Sequence, residues 1–242
     1  MEYLFVVTYG RSGSTVLLNL LNAIDGYCIR GENGGVLNAL AASHSQLKKG
    51  REANAGHNEE PHTPWYGISE TDPDRWAQSL AEVFTRDILQ TPPGTRVAGF
   101  KEIRYTPGAL DEDAYRAMID FQASAFPTSR FIFNTRDSQE VAKSGWWPHS
   151  KIRGARDVHE LVAICDKRFG ESCATLGERA FLIDYADYNG KPEGFRPLLS
   201  WLGEEVPRAD LERVCARKLD HAPTSPHKMA ARKSGLRRFF GR

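Results

Sequence analysis

Short apolar runs of strand length alternate along this chain with longer stretches whose apolar residues recur at three- and four-residue intervals. The first run, Tyr3–Thr8, is apolar without interruption up to its last residue, as expected of a strand buried on both faces of a sheet. Val16, Leu17, Leu18, Leu20, Leu21 and Ile24 then make one helix face, which Asp25-Gly26 ends. Arg96–Lys101 (RVAGFK), Arg130–Asn134 (RFIFN) and Ala180–Asp184 (AFLID) are three further predicted strands. Helices are predicted over Pro73–Leu89, Asp111–Phe126, Ser138–Trp146, Val158–Cys173, Lys191–Leu202 and Arg208–Leu219. Several have a capping side chain in place: Asp72 before Pro73, Asp111, and Asp137 or Ser138. Strands alternating with helices imply a parallel sheet with crossover helices. The expected fold is therefore α/β, a three-layer domain with a central parallel sheet flanked by helices, and one such domain accounts for 1–242.

Two stretches stand apart from this alternation. Ser43–Ser69 is polar, with Gly, His, Asn and Pro scattered through it and Trp65-Tyr66 near its end. It is longer than an ordinary connection and is expected to be a variable loop or lid. The segment 227–242 is strongly basic.

Composition narrows the class. With 40% hydrophobic and 26% charged residues the chain is globular rather than disordered. Lys and Arg number 32 against 31 Asp and Glu, so no global field recruits nucleic acid and any basic site must be local. No window has the apolar length of a membrane span, and the start lacks the basic, apolar and small-residue order of a signal peptide. A cytoplasmic location is expected. Cys28, Cys165, Cys173 and Cys215 form no CxxC pair, so they read as free thiols rather than a zinc set. The histidines, among them His57, His62, His149 and His159, have no carboxylate partners at metal-ligand spacing, and no metal is expected.

The chemistry concentrates in Tyr9-Gly10-Arg11-Ser12-Gly13-Ser14-Thr15, between the first strand and the first helix. A strand, a glycine-containing turn and a helix start together present free backbone amides to an anion. Gly10 and Gly13 permit the tight path, Ser12, Ser14 and Thr15 add hydroxyls, and Arg11 adds a charged fork for phosphate or sulfate oxygens. The loop is not the GxxxxGK[ST] of nucleotide triphosphatases, since Ser14 rather than Lys follows Gly13 and the glycines lie closer together. A kinase with an atypical loop is the second enzymatic reading, and a nucleotide-binding regulatory protein without chemistry is the third.

TYGRSGSTVLLNLL resembles the 5′-phosphosulfate loop of sulfotransferases that use 3′-phosphoadenosine 5′-phosphosulfate (PAPS), commonly [KR]SG[ST][TS] after the first strand. FIFNTRDSQEVAKSGWW (Phe131–Trp147) resembles their 3′-phosphate motif. The resemblance implies a P-loop-like fold and a PAPS donor held by Arg11, Ser12, Gly13, Ser14 and Thr15, with Arg136 and Ser144 on its 3′-phosphate. It also implies transfer of a sulfuryl group to an acceptor hydroxyl and release of adenosine 3′,5′-bisphosphate. Arg232-Lys233-Ser234-Gly235 resembles the basic segment that closes over the donor, with Ser234 intervening before the usual Gly. The same end also reads as a solvated basic tail, or as a peripheral membrane contact through Leu236, Phe239 and Phe240.

A general base must take the acceptor's proton. Members that use His carry it in a KxH pattern, but here the strand ends Lys101-Glu102-Ile103 and Ile103 holds that place. Members that use Glu have it just beyond the first helix, where this chain has Glu32. Glu102 is the second candidate, and Lys101 is placed to stabilise charge developing on the bridging oxygen. Trp65, Tyr66, Trp146 and Trp147 are expected walls for the acceptor, a small molecule or glycan, with carbohydrate slightly favoured by family analogy.

Overall fold

Five strands, β1 (Glu2–Val7), β2 (Tyr27–Arg30), β3 (Val97–Glu102), β4 (Ser129–Thr135) and β5 (Ala180–Asp184), pair in the order β2-β3-β1-β4-β5, every pair parallel. The structure, a computed structural model, describes residues 1–56, 60–149 and 151–217. The helices are α1 (Ser14–Leu21), α2 (Val36–Ala53), α3 (Pro73–Val83), α4 (Glu112–Ala125), α5 (Ser138–Ala142), α6 (Val158–Leu176), α7 (Tyr185–Tyr188), α8 (Arg196–Leu202) and α9 (Arg208–Ala216).

Side-chain alternation along β1 builds the three layers. Phe5 and Val7 enter one core with Phe100, Phe131, Phe133 and the buried faces of α2, α3, α4 and α6. Leu4 and Val6 enter the opposite core with Ile29, Val97, Ile132, Ile183 and residues of α1, α8 and α9. Because both faces of β1 are covered, its run of apolar residues is continuous rather than alternating. Burying each such side chain contributes about 1.5–3 kcal/mol. Cys28 and Cys165 are buried free thiols, and burial pushes the Cys165 thiol up to about 12.

The anticipated strands and most helices appear within a few residues of their expected ends. Three differences matter. β2 was not anticipated; it is four residues long and occupies the sheet edge beside β3. Ser43–Ser69 is not a loop throughout, because 43–53 is the second half of α2, and a short 3-10 turn covers Ile68–Glu70. The helix expected over Ser138–Trp146 stops at Ala142, where Gly145 must take φ 65 and the chain turns back. Residues 218 onward, including Arg232, Lys233 and the basic segment 227–242, lie outside the described residues. Among those described, no helix is long and apolar enough to cross a membrane.

Candidate active site

The strand order reverses its sense at β1, whose neighbours β3 and β4 are reached in opposite directions along the sheet. Ligands of parallel α/β sheets bind at the carboxyl ends of the strands beside such a reversal. Here that place is the loop from Tyr9 to Gly13. Register fixes its surroundings: Val7 lies level with Glu102 on one side and Phe133 on the other. Neighbouring strands stand about 4.8 Å apart, so Lys101 and Glu102 end on one flank of the loop and Arg136 leaves β4 on the other.

The loop backbone is left-handed at Arg11 (φ 70) and at Gly13 (φ 81) but not at Ser12 between them. Alternation of this kind gathers successive amides into a concave anion site. For Arg11 the conformation costs of the order of 1 kcal/mol. It is held by the Arg136 Nη1, which donates to the Arg11 carbonyl at 2.9 Å. Gly13 admits no side chain, because a Cβ there would lie inside the Tyr185 ring. Gly13 caps α1 without a side-chain hydrogen bond, and the Val16 amide bonds the Gly13 carbonyl at 2.9 Å. Among the described residues, no backbone carbonyl accepts from the amides of residues 11–15.

The structure brings Arg11, Arg136 and Ser144 together. Arg11 Nε donates to Ser144 Oγ at 3.0 Å, and its guanidinium lies 5.7 Å from the Trp146 ring centre. Burial lowers the pKa of Arg11, and the nearby Arg136 charge lowers it further. Two like charges held side by side favour a polyanionic ligand between or beside them. Arg136 is covered by the Tyr185 ring at 4.5 Å, bonds Glu140 at 3.5 Å, and keeps its Nε buried without a partner among the described residues. An unfilled donor of this kind is costly unless something accepts from it, and a phosphate oxygen is a suitable acceptor. The residues therefore fit a phosphorylated ligand. Ser12 is fully buried, and its Oγ accepts from Thr8 Oγ1 at 2.6 Å. Ser14 is buried, while Thr15 is partly exposed at the start of α1.

On the β3 flank, Lys101 Nζ meets Glu32 Oε1 at 2.5 Å, with the lysine side chain 7% and the glutamate 37% exposed. Arg104 Nη1 stands 3.8 Å from Glu32 Oε2, so that oxygen is the less engaged of the two. Glu102 is quite different. Its Oε2 accepts the amides of Asn33 and Gly35, and its Oε1 accepts the Ile103 amide and Arg104 Nη1, at 2.8–3.2 Å. A carboxylate has about four acceptor sites, and all of them are used. Glu102 thus ties the Glu32 loop to β3, while Glu32 Oε2 has only the longer contact with Arg104.

The tryptophans expected as acceptor walls lie in different places, Trp146 and Trp147 against the anion loop and Trp65 beside α2. Trp147 Nε1 donates to the Gly10 carbonyl at 2.9 Å, and a Cβ on Gly10 would come within 2.7 Å of the Trp146 ring. Both indoles support the anion loop. Trp65 packs 3.8 Å from the Cβ position of Gly50. Gly50 is fifteen residues along α2 from Gly35, or about 22 Å at 1.5 Å per residue, which separates Trp65 from the Glu32 flank.

Several contributors carry no local sequence signal. Fully buried Tyr9 receives the Arg136 amide at 2.8 Å and faces the Arg136 carbonyl at 3.0 Å and Asp166 Oδ1 at 3.1 Å. Asn134 Nδ2 bonds the Ser12 carbonyl at 3.0 Å. Tyr185 touches both Gly13 and Arg136. All of them join segments more than forty residues apart, and only pairing between strand ends reveals them. No curated protein matches the chain at a significant level. A sequence model described as "Sulfotransferase family" matches residues 4–208, across the loop, both flanks and all five strands, and the chain belongs to the sulfotransferase family.

Proposed function

We propose that this chain transfers a sulfuryl group from PAPS to an acceptor hydroxyl. The observation that carries the reading is the pairing of Arg11 and Arg136 at the mouth of a loop whose amides have no backbone acceptor among the described residues. A ligand with anionic groups at two points of one nucleoside, rather than one chain of phosphates with magnesium, suits two basic positions on adjacent strand ends. The donor supplies the sulfuryl group.

Each part of the site then has a task. The amides of residues 11–15 and the Arg11 guanidinium hold the 5′ end and neutralise the charge that grows on the leaving phosphate. Arg136 and Ser144 hold the 3′-phosphate, which sets the register of the nucleoside against the loop. From the opposite flank, Glu32 takes the proton of the acceptor hydroxyl at Oε2 as the acceptor oxygen bonds sulfur. Lys101, fixed against Oε1, keeps the carboxylate oriented. The acceptor class we favour is a carbohydrate, the class served by relatives with a carboxylate base.

The test is release of adenosine 3′,5′-bisphosphate from PAPS across a panel of glycans, phenols and small alcohols. An acceptor-dependent release that Glu32→Gln abolishes supports the reading. Release unchanged by Glu32→Gln would remove Glu32 from the chemistry.

A further inference from the structure

Three consecutive carbonyls of the anion loop are each taken by a side-chain N–H from a distant part of the chain. Trp147 Nε1 donates to Gly10 at 2.9 Å, Arg136 Nη1 to Arg11 at 2.9 Å, and Asn134 Nδ2 to Ser12 at 3.0 Å. In a trans peptide the C=O of one residue and the N–H of the next point in opposite directions across one rigid plane, and no peptide bond described is cis. Fixing these three carbonyls therefore fixes the amides of Arg11, Ser12 and Gly13, each facing away from the side chain that holds its plane. A loop without these contacts is free to turn a carbonyl toward the ligand, where its lone pairs would repel an anion.

The donors cannot reverse their roles. An indole N–H and a guanidinium only donate. Asn134 has an acceptor end, but the Tyr188 hydroxyl donates to its Oδ1 at 2.7 Å, which assigns Nδ2 to the loop. Asn134 and Tyr188 are fully buried, so no water substitutes for either contact.

We propose that Asn134 and Trp147, together with Arg136, are positioning residues that hold the anion loop in its binding conformation, so that the ligand does not have to order it. Preorganisation of this kind raises affinity without any contact between the positioning residue and the ligand. The inference rests on the reading that residues 11–15 hold the 5′ end of the donor. It goes beyond that reading by giving Trp147, Asn134 and Tyr188 a measurable part in affinity.

The experiment is calorimetric titration of the full chain with two probes, adenosine 3′,5′-bisphosphate and adenosine 3′-monophosphate, which lacks the group that enters the loop. Trp147→Phe keeps the ring and removes the N–H. Tyr188→Phe removes the contact that orients Asn134 and is run beside it, so that a folding defect in one variant does not decide the result; melting curves establish that each is folded. The expected result is a Kd for the bisphosphate raised about tenfold in Trp147→Phe and severalfold in Tyr188→Phe, the scale of one lost hydrogen bond, with the monophosphate unchanged within about twofold. Unchanged affinity for the bisphosphate in the folded variants, or an equal loss for both probes, overturns the proposal. Failure of the wild-type chain to bind either probe would instead overturn the donor reading beneath it.

Discussion

Replacing Glu102 by Gln should damage the fold, whereas the same change at Glu32 should damage the chemistry. Glu102 is 1% exposed and accepts four N–H donors, two on each oxygen. A glutamine keeps one acceptor oxygen and turns an NH2 toward two N–H donors that cannot accept from it. At about 1.5–3 kcal/mol for each hydrogen bond to a charged group, losing two amounts to roughly 3–6 kcal/mol, a large part of the ~5–15 kcal/mol that holds a typical domain. Glu32 is over one third exposed and has one close partner, Lys101. Glu32→Gln keeps an oxygen that still accepts from Lys101 Nζ, so it should cost less stability than Glu102→Gln. It should lower turnover by roughly a hundredfold or more, the usual contribution of a general base. Urea unfolding and single-turnover sulfuryl transfer, measured on both variants, separate the two effects. A Glu102→Gln protein with a wild-type unfolding midpoint and no turnover, beside an active Glu32→Gln protein, would refute the assignment and move the base to Glu102.

Two further outcomes follow from the opposite flank. Arg136→Ala should weaken adenosine 3′,5′-bisphosphate by about 1.5–3 kcal/mol, and should weaken adenosine 5′-monophosphate less, because only the first carries the group assigned to the Arg136 side chain; equal losses in titration would contradict that assignment. Asp166, beside Tyr9, has its carboxyl pushed up from 3.8 to about 6, first by burial and then by Asp184, against the Tyr9 hydrogen bond. Its folded form holds a proton that the unfolded chain has already lost, so stability from this group is full below pH 3.8 and is lost as pH rises toward 6. The melting temperature of Asp166→Asn relative to wild type should therefore climb between about pH 4 and pH 6.5, and a flat difference would contradict the coupling.

The sheet was legible where burial writes a continuous apolar run, as in Leu4–Val7 and Phe131–Phe133. β2 was not, because four residues after the Asp25-Gly26 turn carry too short a pattern to separate from a loop. α2 was hidden for another reason: only Leu37 and Ala41 of its eighteen residues are buried, so the apolar period that marks a helix is nearly absent. Within the site, glycine, hydroxyl and arginine at the first strand end were readable because turn geometry and anion chemistry require those residue types locally. Trp147 read as a ligand wall because an indole stacks on sugar or aromatic rings, and its bond to the Gly10 carbonyl depends on a turn forced by Gly145. The choice between Glu32 and Glu102 had no answer in spacing alone. It depends on which carboxylate the backbone amides of Asn33, Gly35 and Ile103 reach first, and that is a property of the folded loop.

The central claim is a site built for two separate phosphate groups on one nucleoside, and differential thermal stabilisation tests it most directly. Adenosine 3′,5′-bisphosphate at a hundredfold excess over its Kd, without metal, should stabilise the chain by about 2.7 kcal/mol. For a domain of this size that is a rise of roughly 5–10 °C in melting temperature. ATP with magnesium at the same concentration should raise it far less. A larger shift with magnesium and ATP, or none with the bisphosphate, would contradict the account.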